Sequence, residues 1–180
     1  YDQARGGVHR YCSTKDWSLP HFEKMLYDQA GFLKLMAKAS LVYPSPAVFD
    51  SLINTLDYLK REMLSESGFF FAGQDSDSEG EEGLYFGFTR DEFIDALVDF
   101  DETLSDDMEK YEKWFQITEK GNFRSGMNIP RLNTKEREAI YSPDGWTQVR
   151  KIRQALNIAR KMRIPPATDS KGVANWNFQL

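Results

Sequence analysis

Apolar residues along this chain recur with two different rhythms, and the switches between them mark out its elements. From His21 to about Val42 they fall at Phe22, Met25, Leu26, Ala30, Leu33, Met36 and Ala37, the spacing of a helix with one buried stripe. Pro20 suits the first position of that helix, where its missing N–H costs nothing. Pro44-Ser45-Pro46 breaks the pattern, and Phe49, Leu52, Ile53, Leu56, Leu59 and Met63 restore it until Gly68. So short a link predicts an antiparallel helix pair. The aromatic runs Gly68–Gly73 and Leu84–Phe88 then bracket an acidic stretch, which predicts a β-hairpin over about 69–88. Thr89-Arg90-Asp91-Glu92 is a capping box, hydroxyl to the third N–H and carboxylate back to the cap. Phe93, Ile94, Leu97 and Val98 form the face behind it. A short helix over Asp107–Phe115, a loop over Gly121–Leu132 and a turn at Pro143-Asp144-Gly145 follow. A last helix is expected from about Thr147 to Met162, burying Val149, Ile152, Leu156 and Ala159 and exposing Arg150, Lys151, Arg153, Arg160 and Lys161. The pattern predicts a mainly α fold with one short β-hairpin, read as a single domain over 1–180.

Composition narrows the class. Hydrophobic residues make up 41% and aromatics 14% of the 180 residues, enough for a core and against general disorder. The longest apolar runs, such as Phe69-Phe70-Phe71-Ala72, fall far short of the roughly 20 residues that span a bilayer, so no membrane association is expected. One cysteine, Cys12, excludes an intrachain disulfide framework and a multi-cysteine zinc site. No basic-then-apolar leader opens the sequence, and a cytoplasmic, reducing setting is the expectation. Charge is uneven: residues 75–112 hold 15 acids against 2 bases, and residues 113–180 hold 5 against 13. Such polarity either holds the two parts together or marks an acidic and a basic surface. No nucleic-acid partner is expected, because the basic part lacks an aromatic-interleaved groove pattern.

Both histidines fall in the first thirty residues. On a helix, His21 and Asp28 would project from nearly the same face two turns apart, with Glu23 roughly opposite. In one reading His21 transfers protons or binds hydroxyls at a helix N-terminus, whose positive end lowers its pKa. In the other it packs at a helix start while Glu23, Lys24 and Asp28 are solvated or salt-bridged. His9-Arg10-Tyr11 with Trp17 offers an imidazole, a bidentate cation and aromatic faces, groups that suit a sugar pocket. The alternative is a strand with core aromatics and Arg10 paired to an acid. Asp75, Asp77 and Gly80 begin a calcium-loop pattern, but Glu79 and Phe86 break it, so no metal is expected. Asp75 and Asp77 either aim carboxylates into a cleft or belong, with Glu79, Glu81 and Glu82, to a solvated hairpin tip. The basic residues of the last helix read as a solvated face.

Gly6-Gly7-Val8-His9-Arg10-Tyr11, Trp17, the block Pro20–Ala30 and the block Gln74–Gly83 resemble, in this order, the spermatogenesis-associated, thioredoxin-domain-containing family of largely uncharacterised proteins. Gly121-Asn122-Phe123, Asp169-Ser170-Lys171 and Trp176-Asn177 look like later landmarks of the same family, although Ser170 stands where a second acid is usual and Phe178 where glycine is usual. The resemblance implies a thioredoxin-like domain followed by an (α/α)6 toroid similar to sugar epimerases and six-hairpin glycoside-processing enzymes. By this likeness the present chain is the middle part of the toroid, made of antiparallel helix hairpins, with the thioredoxin-like domain absent. Cys12 is not carried over as that domain's motif. The implied function is carbohydrate binding or processing, of glycoside hydrolase or sugar epimerase/isomerase type if it is enzymatic. The catalytic candidates are His21, Asp28, Asp75 and Asp77, and the binding candidates His9, Arg10, Tyr11, Trp17 and Glu23. No cofactor is expected. The partners expected are a carbohydrate or other small molecule, and further copies of the chain through open toroid edges. The alternative is a non-catalytic scaffold or protein-interaction module.

Overall fold

Backbone hydrogen bonds decide where the first helix begins. A computed structural model describes residues 1–180. Its strands are β1 Tyr11–Cys12, β2 Pro20–His21, β3 Lys24–Met25, β4 Gly73–Gln74, β5 Asp77–Ser78, β6 Glu81–Glu82 and β7 Thr168–Asp169. Its α-helices are α1 Leu26–Val42, α2 Pro46–Tyr58, α3 Arg90–Phe100, α4 Met108–Phe115, α5 Arg137–Ile140, α6 Pro143–Arg160 and α7 Ala174–Asn177. The molecule is mainly helical with small antiparallel sheets. The chain forms two compact units: Tyr1, residues 6–84 and residues 165–180 make the first, residues 2–5 and 85–164 the second. No helix is long and apolar enough to cross a membrane.

In the first unit, the expected helix start at Pro20 is corrected. Pro20 and His21 pair with Cys12 and Tyr11, and Lys24 and Met25 pair with Gln74 and Gly73. Arg10 N–H also donates to Glu23 O at 2.9 Å, and Leu26 N–H to Ala72 O at 2.9 Å. Partners distant in sequence satisfy this backbone, so extension wins over the local helical pattern. β4 continues the sheet on its other side with β7, Gly73 opposite Asp169 and Gln74 opposite Thr168. The aromatic runs do not pair with each other. Phe71 N–H donates to Met63 O at 2.8 Å, while Phe70 N–H donates to the Asn177 side chain at 2.7 Å and Phe70 O accepts back from its amide at 3.0 Å. The hairpin that does form is shorter, β5 with β6 across Glu79-Gly80.

α2 starts where expected, with Ser45 Oγ accepting from Val48 N–H at 3.3 Å and Pro46 in the first turn, and a π-turn at Leu59–Met63 closes it. The core gathers Leu26, Tyr58, Leu59 and Met63, with Leu33, Phe70 and Trp176 against it. Each such buried side chain contributes about 1.5–3 kcal/mol. The buried stripe of α1 is shorter than its periodicity suggests: only Leu26, Gln29 and Ala30 are buried. Ala37 is exposed, as are Leu35, Leu41, Val42, Tyr43, Phe49 and Ile53 on the two-helix hairpin.

In the second unit the capping box is present: Thr89 Oγ1 accepts from Glu92 N–H at 3.1 Å, and Glu92 Oε2 from Thr89 N–H at 2.8 Å. Phe93, Leu97, Phe115, Val149, Ile152 and Leu156 are fully buried there. The expected turn at Pro143 is instead a helix start, because Ser142 Oγ caps Gly145 N–H at 3.1 Å and Pro143 fills the first position. Acidic α3 and basic α6 pack together. Lys151 reaches Asp101 at 3.0 Å, and Arg163, just beyond α6, reaches Glu92 at 3.1 Å. The reading of Arg153 and Arg160 as solvated is corrected: they are 7% and 1% exposed. Arg160 forms a bidentate pair with Asp2, 2.8 Å to Oδ1 and 2.7 Å to Oδ2, and donates to Phe86 O at 3.0 Å. Arg5 donates to Asn157 at 3.0 Å and Arg153 Nε to Gln3 at 3.0 Å, so residues 2–5 are strapped along α6.

Candidate functional site

A seven-residue loop joins β1 to β2, and its own polar groups wire it shut. Ser13 N–H donates to Leu19 O at 2.8 Å, and Thr14 Oγ1 accepts from Ser18 N–H and Leu19 N–H, each at 3.1 Å. Asp16 Oδ1 accepts from Ser18 N–H at 3.2 Å. The Ser18 hydroxyl first, then that of Thr14, lowers the Asp16 carboxyl to about 2. This wiring holds Trp17 in the left-handed region, φ 61°, with its ring 79% exposed. A bulky side chain with that backbone is strained, and such strain collects at functional sites.

Beside Trp17 lies an open groove of ≈ 670 Å³, lined by His9, Arg10, Tyr11, Lys15 and Trp17 among others. Tyr11 is 53% exposed and stacks on His21 across the β1–β2 pair, ring centroids 4.7 Å apart. His9 Nδ1 lies 3.0 Å from Phe22 O. A carbonyl only accepts, so Nδ1 carries the proton and Nε2 is the acceptor of the neutral ring.

Arg10 links the groove to a charged cluster whose other members, His21, Glu23 and Asp28, do not line it. Arg10 Nη1 donates to Glu23 Oε2 at 2.8 Å, and Glu23 followed by Tyr27 holds the guanidinium above its ordinary pKa. Glu23 Oε2 is 3.9 Å from His21 Nδ1. Burial pushes the Asp28 carboxyl up from its ordinary value; Arg10 opposes this and Glu23 adds to it. Asp28 Oδ2 and His21 Nδ1 are buried without a hydrogen-bond partner. His21 is in a strand, so the helix end invoked to tune it is not there. Asp28 stands alone in the first turn of α1.

Two polar residues that sequence reasoning passed over hold this arrangement. Gln29 is fully buried, its amide donating to Val8 O and its Oε1 accepting from Val8 N–H, both at 2.7 Å. Lys24, expected to be solvated or salt-bridged, is 1% exposed; it donates to Gly6 O at 2.8 Å and lies 4.4 Å above the Tyr58 ring. Gly6 and Gly7 both have positive φ, and a Cβ on Gly6 would come 2.3 Å from Asn54 O. Only glycine lets the loop approach α2 so closely. Tyr27, edge-on to Trp176 at 4.9 Å, is a further missed member. The signal for Gln29 was legible, a polar residue on the apolar stripe between Leu26 and Leu33.

His9, Arg10, Tyr11, Trp17, His21, Glu23 and Asp28 are thus gathered around one loop and its strands. Asp75 and Asp77 are not among the residues lining the groove. They are exposed, and Ser76 Oγ donates to Asp77 at 2.7 Å while Ser76 N–H donates to Asp75 at 2.6 Å.

Comparison with known proteins places this chain beside a small set of relatives. It is 29% identical over 201 residues to spermatogenesis-associated protein 20 of Homo sapiens, covering 98% of this chain and 25% of that protein. The Rattus norvegicus protein of the same name is 27% identical over 201 residues, with 98% and 25% covered. The similarity supports the spermatogenesis-associated family. An uncharacterised protein of Caenorhabditis elegans is 26% identical over 198 residues, covering 98% of this chain and 27% of that one. The chain spans about a quarter of the length of the curated relatives it matches. No family model matches it.

Proposed function

We propose that the first unit carries the ligand-binding wall of a carbohydrate-binding (α/α)6 toroid. The observation that carries this reading is the groove in which Trp17 and Tyr11 stand exposed beside Arg10 and His9. Aromatic faces stack on the apolar faces of sugar rings, and the polar groups bind hydroxyls. Asp28, its carboxyl raised by burial and one oxygen unpartnered, is the group suited to hold and deliver a proton, with Arg10 and Glu23 acting on it. Asp75, one residue past the Lys24–Gln74 pair, and Asp77 are left as hairpin acids. The toroid itself is supported by the paired α1 and α2. The relatives, roughly four times as long, leave room for the further hairpins a ring requires. A panel of mono- and disaccharides, followed by tryptophan emission on the full-length protein, tests the reading. A saturable change lost in Trp17→Phe is expected; no response from any sugar with Trp17 intact overturns it.

A second, non-catalytic reading draws on the exposed Leu41, Val42, Tyr43, Phe49 and Ile53 of the α1–α2 hairpin, a patch of the kind that marks interaction surfaces. It makes this face a contact for another copy of the chain. Sedimentation should then show dimers that Leu41→Glu with Ile53→Glu dissociates; a monomer at all concentrations rejects it.

A further inference from the structure

The groove beside Trp17 has a sign. Its lining includes the cations Arg10 and Lys15 and no carboxylate. Asp16 and Glu23 offset part of this charge, but neither lines the groove. Asp16 turns its carboxylate into the backbone of its own loop, and stays ionised there through those bonds. Glu23 engages one nitrogen of Arg10, 2.8 Å away, and a guanidinium has five N–H donors in a fixed fork. Lys15 is exposed on the same loop as Trp17. The wiring of residues 13–19 orders the backbone that carries both Lys15 and Trp17, which lowers the entropy cost of engaging both at once.

We propose that the ligand of this groove is an anionic sugar, one bearing a phosphate or a carboxylate, with its ring on Trp17 and Tyr11 and its anion between Arg10 and Lys15. This rests on the carbohydrate reading above and adds the charge. Neutral sugars use the ring contacts and hydroxyl hydrogen bonds but bring no charge for the two cations. Arginine binds carboxylate and phosphate alike through paired N–H donors, so both anions are covered.

The test titrates the protein with glucose, glucuronate, glucose 6-phosphate and inorganic phosphate, read by calorimetry and tryptophan emission. Glucuronate or glucose 6-phosphate should bind at least about tenfold more tightly than glucose, with the gap closing at high salt as charges are screened. Lys15→Gln should narrow the gap while glucose still binds, Arg10→Gln should weaken all three sugars and the anionic two the most, and Trp17→Ala should weaken all three sugars. Equal affinity for all three sugars overturns the charge assignment and leaves the carbohydrate reading standing. No binding of any sugar overturns both. Inorganic phosphate binding as tightly as glucose 6-phosphate, unaffected by Trp17→Ala, also overturns the proposal, since the ring contact would then contribute nothing.

Discussion

Arg160 and Arg10 meet their carboxylates at nearly the same distance, 2.7 Å to Asp2 and 2.8 Å to Glu23. Their surroundings differ completely. The Arg160 and Asp2 side chains are 1% and 3% exposed, and the guanidinium lies 5.4 Å from each of the Tyr85, Phe86 and Phe88 ring centroids. Arg10 and Glu23 are 44% and 27% exposed at the edge of a groove. A buried charge that loses its partner has no water to turn to, so the Arg160 pair is committed to structure. A surface pair exchanges its partner for water or ligand at little cost. The difference teaches that the chemistry of a charged residue here follows from burial and not from its ion pairing.

Breaking the buried pair should have the largest effect. Asp2→Ala leaves Arg160 charged and uncompensated, and an increase in unfolding of about 3–5 kcal/mol is expected from urea denaturation; a loss near zero would erase the contrast. Lys24→Met comes next. It leaves Gly6 O without its donor, at a cost of about 1–3 kcal/mol, and should speed amide exchange at Val8 by loosening the loop. Asp28→Asn probes the intermediate case. The native carboxyl has a raised pKa, so the folded state holds this proton more tightly than the unfolded chain does. Stability from this group is present below the ordinary value of 3.8 and falls as pH rises through the raised one. Asparagine should flatten that decline, seen as a smaller difference in melting temperature between acid and neutral buffer. Arg10→Gln, the exposed counterpart of Arg160, should leave the melting temperature unchanged while weakening sugar binding.

What was legible in the residues was mostly local. The Thr89–Glu92 box, the Ser45-Pro46 start and the short helix at Met108–Phe115 depend on neighbours a few positions away, and they stand where the pattern puts them. The extended Pro20–Met25 was not legible, because its partners at Tyr11 and Gly73 come from two separate parts of the chain. Arg153 and Arg160 were misread for the same reason: their acceptors, Gln3 and Asp2, lie 150 and 158 positions away. In the candidate site, His9, Arg10, Tyr11 and Trp17 stood out by residue type, and the structure brings them to one groove. Lys24 looked like any surface lysine, since nothing near it in sequence names Gly6 O as its acceptor.

The strap of residues 2–5 along α6 also sets a schedule. During synthesis Asp2 leaves the ribosome 158 residues ahead of Arg160. Residues 6–84 of the first unit emerge in between, and that unit then waits for residues 165–180 to supply β7 and α7. Each unit closes only once its last segment has emerged, and both pay the loop entropy of long-range contacts. The two are interleaved in time, so a ribosome that stalls before Arg160 releases a chain in which neither half is complete.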